Sequence, residues 1–134
     1  MRKDFRRELD SLDAIFSFAG EFEAEKGLDD SVSYFLDLTL EELFTNLVRH
    51  ASGSADIEID IELSGDLLSI RLTDRGTEPF DGNSLGEVDT GAPLMERQPG
   101  GLGIHLVKKM ADSLDYDYDD GTLVVTATKR LEER

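Results

Sequence analysis

Glu42 and Asn46 lie one helical turn apart in the stretch LTLEELFTNLVRHA at 38–51. Around them Leu36, Leu40, Leu43, Phe44, Leu47, Val48 and Ala51 recur at the spacing of an amphipathic helix, so both polar groups project from one side of it, flanking an apolar stripe. A carboxylate and a carboxamide held together beside a core suit a proton acceptor next to an oxygen ligand for a hard cation. On these two residues alone the plainer reading, polar groups on a helix surface, is the stronger one. The rest of the chain must supply a pocket before the sharper reading wins.

Two further stretches have the right chemistry. In the run from Leu67 to Asp74, Leu68, Ile70 and Leu72 share one strand face, and by period two Asp74 falls on that same inward face. A carboxylate on a core face needs a donor, because burial without one costs several kcal/mol or moves its pKa, on the order of 2–7 kcal/mol for an unpaired polar group. Asp74 therefore either closes an Asx-turn with Gly76 or points into a pocket that supplies a donor. The third stretch is Gly100-Gly-Leu-Gly103, which runs into a helix. Glycines there let backbone N–H groups approach an anion, and the helix dipole favours negative charge at that end. Glycine-rich helix entries are common, so this signal is weak alone.

Composition bounds what such groups serve. The chain of 134 residues suits one domain, 1–134, and its 39% hydrophobic content in periodic segments opposes disorder. Thirty acidic against 14 basic residues leave a net charge of −16, a field that repels nucleic acids and anionic membranes. The same field repels a nucleotide, which needs a divalent cation and oriented N–H groups to bind. Without cysteine there are no disulfides or thiolate metal sites. No apolar run is long enough to span a bilayer and no signal-peptide pattern is present, so the expectation is a cytoplasmic protein.

The elements that position these groups follow from periodicity. Residues 1–10 read as either a frayed lead-in or a short edge strand. A first amphipathic helix starts near Leu9, carries Leu12, Ile15, Phe16, Ala19 and Phe22, and stops at Lys26-Gly27. Asp29, Asp30 and Ser31 offer caps for the second helix. Ser52-Gly-Ser54 breaks it. The run DIEIDIEL at 56–63 then alternates strictly, with Ile57, Ile59, Ile61 and Leu63 inward and its acids outward, keeping an exposed sheet face soluble. Ser64-Gly-Asp66 turns the chain into the strand that ends at Asp74. Residues 75–99 contain all three prolines (Pro79, Pro93, Pro99) and no sustained period, as lids and binding loops do. A third helix carries Ile104, Val107, Met110, Ala111 and Leu114. Strands over 114–118 and 122–129 are joined at Asp119-Asp-Gly121, a hairpin signal. This order predicts a two-layer α+β sandwich, a mixed, mostly antiparallel sheet with all helices on one face.

Taken together and in order, ELFTNLVRHA at 42–51, DRGTEPFD at 74–81 and GGLGIHLV at 100–107 resemble the N, G1 and G2 boxes of the GHKL (Bergerat) ATP-binding fold, shared by histidine kinases, gyrase B and MutL. They are closer still to the small anti-sigma factor serine/threonine kinases. The resemblance runs from about Leu9 to the end of the chain, and the three-box combination is specific where each box is not. It implies ATP and Mg²⁺ as cofactors. It also implies that Asn46 binds Mg²⁺, that Glu42 is the general base for a seryl or threonyl hydroxyl, and that Asp74 accepts from the adenine amino group. Gly76 would let the purine lie close to the backbone, and Gly101, Leu102, Gly103 and Ile104 would meet the phosphates. Phosphoryl transfer asks mainly for positioning and charge neutralisation, so this set suffices.

The implied function is a bacterial partner-switching kinase that acts on a small anti-sigma antagonist protein, binds a sigma factor, or both; family members often form homodimers. The alternative is a nucleotide-sensing regulatory module without kinase activity. Two departures stand out: the G1 loop, with Thr77-Glu78 before Pro79-Phe80, is one residue longer than the family pattern, and almost no sequence is available for the family's first strand. Other polar residues have bland readings beside functional ones. Arg49, Arg97, Lys108 and Lys109 are candidates for phosphate or partner contacts, and Thr126 or Thr128 for the adenine site. Solvated charge and β-propensity are the simpler explanations for them. His50 resembles the histidine that follows the N box, and His105 packs or faces solvent.

Overall fold

The computed structural model describes residues 1–51, 53–76 and 101–131. Five strands form one sheet: β1 (Arg2–Phe5), β2 (Ile57–Ser64), β3 (Leu67–Arg75), β4 (Ser113–Asp119) and β5 (Thr122–Arg130), in the order β1-β2-β3-β5-β4. Among the described residues three helices, α1 (Leu12–Lys26), α2 (Asp30–His50) and α3 (Gly101–Met110), accompany a 3-10 turn over Leu9–Ser11. The expected α+β sandwich is present, with one difference: every strand pair is antiparallel, so the sheet is not mixed.

Local chemistry accounts for the helix limits. Gly27, at φ 64°, ends α1, and Leu28 N–H donates to Glu23 O at 3.0 Å, which satisfies a carbonyl the helix leaves open. Asp29 starts α2 by accepting from Val32 N–H at 3.0 Å. One face of each helix is apolar, and these faces meet over the inward side of the sheet. There Ile57, Ile59 and Ile61 of β2, Leu68, Ile70 and Leu72 of β3, and Leu123, Val125 and Ala127 of β5 join Ile15, Phe22, Phe35, Phe44 and Leu47 in a single core. Burying one such side chain contributes roughly 1.5–3 kcal/mol.

The opposite face of the sheet is polar and cross-linked by ion pairs. Glu58 binds Arg2 at 2.9 Å and Arg75 at 2.8 Å. Thr126, paired with Arg71 in the ladder, and Thr128, whose hydroxyl bonds that of Ser113, alternate with the inward Val125 and Ala127. They therefore lie away from the helices, and neither reaches the site described below.

Two further expectations change. A first strand does form: β1 pairs with β2 from Arg2↔Asp60 to Phe5↔Ile57, the Met1 ammonium donates to Ile61 O at 2.8 Å, and Phe5 docks edge-on against Phe18, centroids 5.5 Å apart. Four residues suffice because one buried aromatic and the Arg2 pairs anchor them. The third helix stops at Met110, so Ala111 lies beyond it and Leu114 belongs to β4. Lys108 and Lys109 consequently occupy its last turn, where their charge complements the helix dipole instead of opposing it. The loop features at Thr77, Glu78, Arg97 and residues 81–99 lie outside the described residues.

Candidate active site

Asn46 is buried within α2, and its side-chain amide donates to Glu42 O at 2.7 Å, one turn back. That bond consumes the nitrogen end of the carboxamide and leaves Oδ1 as the end that can take a cation. Glu42, on the same side of α2, is half-buried, and its Oε1 is enclosed without a hydrogen-bond partner among the described residues. Burial pushes its carboxyl upward from the ordinary value, Glu41 adds to the shift, and Arg49 opposes it. A carboxylate so placed is a better base for a hydroxyl than one in water.

The first turn of α3 closes onto this carboxylate. A Cβ built at Gly103 would fall inside the Glu42 carboxyl group, so only glycine permits the approach. Gly101 and Leu102 open the same helix, and Ile104 turns its side chain into the core. The helix N-terminus thus stands beside α2 where Glu42 projects, the placement an anion needs to reach N–H groups.

Asp74 is fully buried on the inward face of β3, between Ile57 of β2 and Leu123 of β5. It makes no Asx-turn, because Gly76 N–H donates to Gly121 O at 2.7 Å instead. Gly76 itself, at φ 77°, ends the strand in a conformation that favours glycine. The donor that Asp74 requires comes from Arg7, whose Nη2 bonds Oδ1. Arg7 also donates from Nη1 to Leu47 O at 3.1 Å and from Nε to Ala55 O at 3.2 Å. Oδ2 of Asp74 remains buried with no partner among the described residues. Desolvation raises the Asp74 carboxyl above its ordinary value, and the charge and hydrogen bond of Arg7 pull it back.

Two residues of this site escaped the sequence reading. Arg7 sits in a mixed-charge lead-in that looks like any solvated segment; the available signal was the inward carboxylate itself, which demanded a cation without saying which. Gly53 read only as a helix breaker. A Cβ there would lie 2.7 Å from Arg7 Nη2 and 2.8 Å from Asp74 Oδ1, so the loop after α2 passes directly against the pair.

Among the described residues no cluster of His, Cys, Asp or Glu could cage a metal, and no helix is long and apolar enough to cross a membrane. A cation here would be held by Asn46 together with ligand oxygens, the usual situation for Mg²⁺ on phosphates.

Comparison with known proteins bears on the family and the fold. A family model described as a histidine kinase-like ATPase domain matches residues 5–129. The serine-protein kinase RsbW of Listeria monocytogenes is 36% identical over 132 residues, covering 92% of this chain and 78% of the relative. That of Halalkalibacterium halodurans is 30% identical over 102 residues, covering 72% and 62%. Among solved structures, the Acinetobacter baumannii histidine kinase AdeS superposes with a TM-score of 0.57 at 12% identity, over 99% of this chain and 68% of that one, a likeness of fold alone. The chain belongs to the histidine kinase-like ATPase domain family, with the RsbW serine-protein kinases among its relatives.

Proposed function

We propose that this domain is a Mg-ATP-dependent serine/threonine protein kinase of the anti-sigma type, acting on a small anti-sigma antagonist protein in bacterial partner switching. The observation that carries the reading is the convergence of Glu42, with its unpartnered buried Oε1, on the glycine turn that opens α3. The name of the Listeria relatives, serine-protein kinase, supports the same chemistry.

The residues present suit a magnesium nucleotide. Asp74 Oδ2 is an orphaned buried acceptor of the kind an exocyclic amino group would satisfy, and Asn46 Oδ1 is an oxygen left free by its own amide. Mg-ATP, when bound, supplies the transferable phosphoryl group and the charge that neutralises it. Asn46 would hold the cation through Oδ1. Glu42 Oε1 accepts the proton of the substrate hydroxyl, and its raised pKa brings it closer to working pH. Gly101 and Gly103 open the α3 terminus to negative charge at little steric cost.

Phosphate transfer from labelled ATP to a candidate antagonist, by wild type and Glu42→Ala, tests this. Loss of about 10²–10⁴ in rate is expected when a general base is removed. Equal transfer by both proteins ends the assignment of Glu42. ATP binding with no transfer to any antagonist leaves the nucleotide-sensing module as the reading.

A further inference from the structure

Arg7 is the most heavily engaged side chain at the site, and the chemistry above does not use it. It reaches from the segment after β1 to the end of α2, the loop after α2 and the end of β3, through three hydrogen bonds. Its side chain is only 10% exposed and that of Asp74 not at all. A surface ion pair would be dispensable, but this one is enclosed by Gly53, which leaves no room even for a methyl group.

The pairing is one-sided. Arg7 takes Oδ1 and nothing among the described residues takes Oδ2. The elements around Asp74 present no other charge to it: Ile57 from β2, Leu123 from β5, and Gly53 and Ala55 from the loop are uncharged. From α2 comes the Leu47 carbonyl, which Arg7 itself occupies. Arg7 is the charged group that acts on Asp74 among the described residues.

We infer that Arg7 is a positioning residue of the base subsite: by clamping Oδ1 it holds Asp74 as a pure acceptor at Oδ2, so that the site selects a purine bearing a 6-amino group over one bearing a 6-oxo group. A carboxylate accepts and cannot donate, whereas a protonated carboxyl can donate to a 6-oxo group. Buried without a cation, Asp74 would take up a proton more readily, and the distinction between the two purines would blur. The inference rests on the nucleotide-site reading above.

The test uses calorimetry with Mg-ATP and Mg-ITP, nucleotides that differ in the 6-substituent, on the full chain as wild type, Arg7→Lys and Arg7→Met at pH 6, 7 and 8. Wild type should prefer ATP with little pH dependence. Arg7→Met should lose ATP affinity as pH falls, by up to about tenfold per pH unit below its carboxyl pKa, with the ATP/ITP ratio collapsing toward unity. Arg7→Lys, which keeps the charge, should retain the preference at pH 8. ATP binding by Arg7→Met equal to wild type at all three pH values overturns the inference, and tighter binding would mean that Arg7 obstructs the subsite. If wild type binds neither nucleotide, the nucleotide-site reading fails first. Should Arg7→Met not fold, the Arg7 Nη2–H resonance of wild type, the group that bonds Asp74 Oδ1, decides. It should stay protected when ATP saturates the site, and its loss to solvent exchange on binding overturns the clamp.

Discussion

The carboxyl group of Glu42 occupies the space where a Cβ of residue 103 would lie. This contact joins α2 to the first turn of α3, and with it the candidate base to the candidate phosphate cradle. Gly103→Ala should therefore displace the Glu42 carboxyl from the turn and lower phosphate transfer, with little loss of stability, because the atoms in the way are the flexible end of a half-buried side chain. Gly20, exposed on α1 with nothing within 4 Å of a built Cβ, is the control. Gly20→Ala should stabilise by about 0.5–1 kcal/mol through helix propensity. Urea unfolding of both variants, with phosphate transfer by Gly103→Ala, separates the two effects.

Removing the proposed cation ligand should separate binding from folding. Asn46→Ala loses Oδ1 and the amide bond to Glu42 O, of which the latter contributes about 1 kcal/mol. ATP affinity in the presence of Mg²⁺ should fall on the order of tenfold or more, and added Mg²⁺ should no longer improve it. Titration with and without EDTA reads this directly.

Gly53→Ala probes the pocket wall. Its Cβ would press on Arg7 and Asp74 together, neither of which can retreat into solvent. The expected cost is about 1–3 kcal/mol, together with weakened nucleotide binding, measured by thermal unfolding and calorimetry.

A pH dependence of stability should come from a pair far from the chemistry. Glu23 of α1 faces Asp37 of α2, and Glu23 Oε2 and Asp37 Oδ1 are both buried without a partner among the described residues, as two carboxyls sharing one proton would be. Burial first, then the bond and charge of Asp37, push Glu23 up from 4.5 to about 7, against a smaller pull from Ser33. In that window the folded chain keeps a proton that the unfolded chain has released. Stability must therefore fall as pH rises from 4.5 to about 7, with the full cost present above it. Glu23→Gln should remove this slope and stabilise the protein at pH 8 by about 1–2 kcal/mol after allowance for solvent screening. Denaturant midpoints at pH 5 and pH 8 provide the check.

Much of the fold was legible because its signals are local. The alternation of Ile57, Ile59 and Ile61 sets β2, Asp120 and Gly121 with φ 48° and 82° make the hairpin turn, and Gly27 ends α1. Asp74 stands inward as period two required. The third helix was read too long because Ala111 and Leu114 continue an apolar pattern that a strand uses equally well. The first strand could not be told from a frayed lead-in because its four residues carry little pattern, and pairing with β2 is what orders them.

From its residues alone the chain declared three amphipathic helices, two hairpins, an inward carboxylate and a glycine-rich helix entry, since each is written within a few neighbouring positions. Only the tertiary structure decided that Arg7, 67 residues away, answers Asp74, and that Glu42 rests on Gly103. Such pairings depend on how strands and helices stack, and a charge at the start of a chain does not name the buried partner it will meet.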